Sequence, residues 1–261
     1  MIEEAKNGRA KMKKSYLSYF FTYETKLPDG MGFSLFGPWH MIWLLAITAG
    51  CVFYLFFYKR CSGKGKRRLD GISAGSLMFW IAARMIYIVI LHEDLLYELP
   101  LHLCSMAGIL CFIHFLTGCK MLGQVLYTIC LPGTVLALLF PNWNFYPVIH
   151  FITIESFLFH MGIVLYVTGQ LMSHKIVPRL SKLYQVILFL IAVVIPVFWF
   201  DKCFNVNYMF VNWPSAGSPL VFLADKMGNP GYLAGYGALV LLCMFLMDLG
   251  YYLHSIRGKR D

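Results

Sequence analysis

Cys104 closes the run Glu98-Leu99-Pro100-Leu101-His102-Leu103-Cys104, two residues after a histidine that itself follows a proline by two. The same proline-then-histidine step recurs at Pro38 to His40 and at Pro147 to His150. A thiol among imidazoles can perform acyl transfer. The thiolate attacks an ester carbonyl, and a neighbouring base must take the proton, because low dielectric favours the neutral thiol. His102 suits that task poorly, since residues two apart on a helix point to different faces. The base is expected from another segment, and the stretch after Pro147 offers His150 and His160. A second chemistry is open to the same set: His40, His102 and His150 could hold a zinc ion that activates water, although they lack a local i, i+4 pairing.

Such residues need a frame, and the apolar runs supply it. Crossing the hydrocarbon takes about 20 mostly apolar residues at about 1.5 Å rise each. Seven stretches meet that requirement: Trp39–Tyr58, Ile72–Leu91, Leu99–Leu116, Met121–Phe140, Pro147–Met172, Leu183–Phe200 and Tyr232–His254. They are too long and too unalternating for barrel strands, so an all-α polytopic bundle of about seven transmembrane helices follows. With 59% hydrophobic and 13% charged residues, nothing remains for a separate soluble domain. Residues 1–38 read as an interfacial amino-terminal segment, with Tyr16, Tyr19, Phe20, Phe21 and Tyr23 as headgroup-level aromatics, and residues 39–261 as the membrane domain. The long segment 201–230, rich in asparagine and aromatics, reads as a structured outer cap.

Orientation follows the loop charges. With the amino terminus outside, Lys59, Arg60, Lys64, Lys66, Arg67, Arg68, Lys120, Lys175, Arg179, Lys182, Arg257, Lys259 and Arg260 lie inside, thirteen against eight outside. The carboxy terminus is then cytoplasmic. The cluster Lys6 to Lys14 dissents, and with no apolar core behind it before Tyr16 it is not a cleavable signal peptide. The net charge of +9 sits mostly in loops that an anionic membrane surface attracts, which makes headgroups rather than nucleic acid the expected partner. The expected location is a multi-pass position in a bacterial plasma membrane. Eight cysteines include no C-x-x-C pair, so no zinc ribbon or redox motif is expected, nor is any soluble cofactor.

Charges inside the span are costly enough to need a partner or a task. Counting about 1.5 Å per residue from the outer ends puts Arg84, Glu155, Cys104 and His102 in one layer, roughly 6 to 12 Å deep. His150 is shallower at roughly 4 to 5 Å and His160 deeper at roughly 20 Å, so depth alone favours His150 as base. Arg84 and Glu155 read either as an ion pair joining two helices, or as a phosphate clamp beside a carboxylate that orients a catalytic histidine. Asp248 is expected to snorkel or cap near the inner end of the last helix.

The runs Phe20-Phe21-Thr22-Tyr23, Phe36-Gly37-Pro38-Trp39-His40, Glu98 to Cys104, Phe157-Leu158-Phe159-His160 and Asn207-Tyr208-Met209 together resemble the transmembrane protein 164 family and its bacterial YwaF-like relatives, over about residues 16–255. The family resembles in fold the androgen-induced-protein type of membrane lipid hydrolase, which uses a threonine and a histidine. What the resemblance implies is acyl transfer on phospholipids through a cysteine and a histidine, with Cys104 as nucleophile and His160 as base. The expected substrates are phospholipid and lysophospholipid. His102 and Asn207 are expected as polar contacts for the carbonyl or headgroup, with His150 as reserve base. Two other classes stay open: the His-ligated metal-dependent lipid hydrolase, and a non-enzymatic transporter or receptor with Arg84 and Glu155 lining its pathway.

Overall fold

Every long apolar run closes its backbone hydrogen bonds within itself, as a chain facing lipid must. The computed structural model describes residues 17–215 and 217–257. Its main helices are α1 (Pro38–Arg60), α2 (Gly63–Ile90), α3 (Leu103–Thr117), α4 (Lys120–Leu139), α5 (Phe151–Met172), α6 (Leu183–Phe204), α7 (Pro219–Met227) and α8 (Tyr232–Arg257). There are no strands among the described residues. The basic cluster Lys6 to Lys14 and Tyr16 lie outside them.

Among the described residues six helices are long and apolar enough to cross a membrane: α1, α2, α4, α5, α8, and α6 with its preceding turn from Leu180. The expected span from Leu99 is the exception. Proline disfavours helical geometry at the residue before it, here Leu99; residues 99–102 form turns, and α3 keeps only 15 residues, Leu103–Thr117. It stops at Gly118, whose φ of 64° is the left-handed conformation glycine adopts freely. The fifth span is displaced likewise, from Pro147 to Phe151. His102 and His150 therefore precede their helices as N-cap residues, and of the three Pro-to-His steps only Pro38 to His40 lies in a helix's first turn.

Burial ranks the helices. In the most apolar stretches of α5 and α4, 61% and 56% of residues are buried, against 11% in α1, α6 and α8, which leaves those three to face lipid. α5 packs against α1, α2, α3 and α4, and α8 packs on the middle of α4. There α4 carries one turn of π-helix, Leu126–Cys130, just before Pro132, which has no N–H to give the preceding turn. The same turn corrects the expectation for Asp248. Rather than snorkelling, Asp248 is buried, its carboxylate accepting from Gln124 Nε2 (2.7 Å) and Thr128 Oγ1 (2.7 Å) of α4.

At the end of the bundle that holds the starts of α1, α3 and α5, the segment ahead of α1 folds inward. Tyr23 is buried, Phe21 packs against Tyr87 and Phe151, and the Phe20 carbonyl accepts from Phe151 N at 3.0 Å. It thus caps the start of α5 as well as offering interfacial aromatics. Within 201–230, α6 runs on to Phe204, Asn212 Nδ2 donates to the Val206 carbonyl (2.9 Å), and α7 follows.

Candidate functional site

The intramembrane charges form a triad rather than a pair. Arg84, six residues before the end of α2, donates from Nη1 to Glu155 Oε2 and from Nε to Glu98 Oε2, both at 3.0 Å. Ser156 Oγ donates to Glu155 Oε2 at 3.2 Å, and the Tyr23 hydroxyl donates to Glu98 Oε1 at 3.1 Å. The triad ties α2, α5, the α2–α3 connection and the amino-terminal segment together. The ion-pair reading of Arg84 and Glu155 fits this geometry. A phosphate would have to compete with two carboxylates for Arg84, and Glu155 does not contact the histidine it was expected to orient.

Four histidines are fixed by backbone groups, and the fixing assigns each ring its proton. His40 Nδ1 accepts from Phe36 N (2.9 Å), so Nε2 carries the proton and donates to the Leu138 carbonyl (2.9 Å). His150 repeats the pattern, with Nδ1 accepting from Ile152 N (3.1 Å) and Nε2 donating to the Thr22 carbonyl (2.9 Å). Both rings are spent on structure. His150 has no lone pair left for the reserve-base role, and neither ring has one for a metal. The structure does not bring His40, His102 and His150 together. Among the described residues no group of three or more His, Cys, Asp or Glu side chains is disposed to hold a metal ion.

His102 also accepts at Nδ1, from Met209 N at 3.3 Å, with its ring against Tyr208 and Phe210. Its Nε2 therefore bears a proton that no described residue accepts. Burial, and then the nearby charge of Arg84, lower its pKa to about 4, which keeps the ring neutral. His160 is the reverse case. Its Nδ1 donates to the Ser156 carbonyl at 2.6 Å, one helical turn earlier, which leaves Nε2 as the bare nitrogen with a free lone pair. The ring stacks on Trp143 at 4.9 Å, and the Trp143 indole N–H is buried without a partner among the described residues. Arg84 and His160 both lie within electrostatic reach of His102.

Cys104 is half-buried in the first turn of α3. Its polar neighbours are Thr134 and Cys130 of α4 and Tyr236 of α8. No hydrogen bond joins it to His160. α3 and α5 nevertheless approach closely one turn below: a Cβ at Gly108 would stand 2.7 Å from the Phe159 ring. The structure thus draws His102, His160 and Arg84 into one region, with the thiol one turn from the α3–α5 contact. Asn207 is committed elsewhere. Its Nδ2 donates to the Trp213 carbonyl and its Oδ1 accepts from Asn212 N and Trp213 N, which closes the loop after α6.

Glu98, Tyr23 and Trp143 were not singled out from the sequence as site residues. Glu98 had a legible signal, a carboxylate directly before Leu99-Pro100 at the start of an expected span. Trp143 had none, since an interfacial tryptophan between two spans is ordinary.

A family model described as the TMEM164 family matches residues 35–248. No curated protein and no solved structure shows significant similarity to the chain.

Proposed function

The chain belongs to the TMEM164 family of membrane proteins, and we propose that it is a phospholipid acyltransferase in which Cys104 is the nucleophile and His160 the base. The observation that carries this reading is the proton placement on two histidines: His160 presents a bare Nε2, while His102, two residues before the thiol, presents a proton on Nε2. One ring can take a proton and the other can donate a hydrogen bond to an ester carbonyl as charge develops on its oxygen.

In the proposed cycle the Cys104 Sγ proton passes to His160 Nε2 as the thiol turns from Thr134 toward α5. Catalytic contacts of this kind are often open before substrate binds. Sulfur bonds to the acyl carbon, the carbon–oxygen ester bond breaks, and the departing lysophospholipid oxygen takes the proton from His160. A second lysophospholipid hydroxyl, or water, then gives its proton to His160 and attacks the thioester, which restores the thiol. The apolar flanks of α1, α6 and α8 give the acyl chains a lipid-facing approach. The cycle requires no metal or cofactor. Residence in a bacterial plasma membrane, with the amino terminus outside, belongs to the same proposal and rests on the loop charges.

The test is intact-mass analysis of protein incubated with phospholipid, together with turnover of labelled acyl chains. An acyl adduct mapping to Cys104 is expected. Cys104→Ala should lose both adduct and transfer, and His160→Gln should lose transfer, since an amide cannot accept the proton. Cys111→Ala, on the same helix, should keep transfer. Wild-type turnover by Cys104→Ala would overturn the proposal.

A further inference from the structure

A second constellation lies at the other end of the bundle, where α2 begins and α3 and α5 end. A cavity of about 360 Å³ opens there, lined by Arg67 of α2, His114 and Thr117 of α3, Gln170 of α5, and Lys175 just beyond α5. Two of these side chains are almost fully buried and lack a partner at the cavity. Gln170, 2% exposed, has no acceptor for its side-chain amide nitrogen, and His114, 3% exposed, has none for Nε2. A buried donor without an acceptor is costly enough that native proteins rarely leave one unfilled.

The charges give the sign of what would fill it. Lys175 Nζ donates to Asp70 Oδ2 at 2.7 Å, and Asp70, fully buried, also accepts from the Tyr58 hydroxyl at 3.0 Å on its other oxygen. Both carboxylate oxygens are therefore engaged, and an ammonium with three protons retains donors beyond the one given to Asp70. Arg67 lies over the Phe115 ring at 6.0 Å and pairs with no carboxylate among the described residues, so the cavity carries a net positive charge. His114 Nδ1 stands 2.8 Å from the Tyr166 hydroxyl, and its Nε2 lies against Gly123 of α4 beside the cavity wall, with no acceptor among the described residues.

We propose that this cavity is a binding site for a phosphate oxyanion, presented either by an anionic lipid headgroup or as free phosphate. Guanidinium, ammonium, amide and imidazole reach it from α2, α3, α5 and the segment after α5. That convergence from several directions suits a tetrahedral group better than a flat carboxylate. A cation finds no free carboxylate there, and repulsion from Arg67 excludes it. The neighbouring Lys64, Lys66 and Arg68 raise the local concentration of anions. The site is separate from the α3–α5 region of the proposed chemistry and does not depend on it.

The experiment uses the full-length protein in neutral detergent, with binding read by native mass spectrometry and by thermal shift. The probes are dioctanoyl phosphatidic acid, dioctanoylglycerol and inorganic phosphate. Phosphatidic acid should bind saturably and dioctanoylglycerol should not. Competition by inorganic phosphate at similar concentration identifies free phosphate as a sufficient ligand, whereas binding of the lipid alone identifies a headgroup site. Arg67→Gln and Gln170→Met should each weaken binding at least tenfold, and Lys59→Gln, outside the cavity, should not. Arg67 is exposed, so its variant should fold even if that of Gln170 does not. Failure of the wild type to bind either phosphate probe, or wild-type affinity in Arg67→Gln, would overturn the proposal.

Discussion

Replacing Arg84 with methionine tests the frame on which the candidate site hangs. The guanidinium lies 3.0 Å from each of two carboxylates, and at an effective dielectric near 20 each contact carries about 5 to 6 kcal/mol of attraction. Desolvating the ions offsets most of that, at several kcal/mol for each. The larger effect comes from what the substitution leaves behind. Glu155, with 4% of its side chain exposed, and Glu98, with 15%, would face each other without a counter-charge. Breaking a buried pair in this way costs about 3 to 5 kcal/mol. Glu155→Gln keeps the shape and leaves a one-to-one pair of Arg84 with Glu98, so it should cost less, about 1 to 2 kcal/mol. The triple variant Arg84→Met/Glu98→Gln/Glu155→Leu removes every charge and should recover most of the loss from Arg84→Met. Equilibrium denaturation in mixed micelles, followed by circular dichroism, measures all three. A variant Arg84→Met as stable as wild type, or a triple variant no better than the single, would refute the reasoning.

A pH effect follows from His150, which is fully buried and whose pKa is lowered by burial from 6.5 to about 4. The folded state keeps the ring neutral while the unfolded chain protonates near 6.5. This contribution to stability is therefore complete above that pH and lost as pH falls toward 4, by at most about 3.5 kcal/mol. His150→Asn keeps an N-cap acceptor and does not titrate, so pH melts of that variant should be flatter over the window. For topology, Lys64→Cys in a background with Cys61, Cys119 and Cys203 each changed to serine should resist an impermeant thiol reagent in intact cells, and ready labelling would reverse the inside-outside assignment. His40→Phe keeps an aromatic ring but strands the Phe36 N–H and the Leu138 carbonyl, so thermal melts should show a loss of about 2 to 4 kcal/mol.

Most of the helices were legible because a membrane span is written in length and emptiness, which need no tertiary information. The misreadings occur where one residue's backbone preference overrides composition. Pro100 disfavours a helical Leu99, and α3 starts at Leu103 rather than Leu99; the fifth helix starts at Phe151 rather than Pro147. Arg84 and Glu155 were legible as partners because both are charged at one depth. Glu98 is not legible as the third member, because it stands ahead of an apolar run rather than within one. The roles of His40 and His150 could not be read, since both depend on backbone atoms far along the chain, the Leu138 carbonyl for one and the Thr22 carbonyl for the other. Spacing carries no information about which carbonyl a ring will meet.

The proton positions also explain why four histidines in one end of a bundle need not share a function. His40, His102 and His150 all accept a backbone N–H at Nδ1, but only for His150 does that N–H, Ile152's, belong to the start of its own helix; Phe36 precedes α1 and Met209 lies in the segment after α6. His160 sits in the middle of α5, where every N–H is taken and the accessible backbone group is the carbonyl one turn earlier. The backbone group that each Nδ1 meets, an N–H for the first three rings and a carbonyl for His160, therefore sets the tautomer. A base for a thiol has to present a bare nitrogen, and a ring in a helix interior does so at Nε2 because its Nδ1 proton is committed to that carbonyl. By the same logic His102, whose Nδ1 accepts from Met209 N, is the ring that presents a proton.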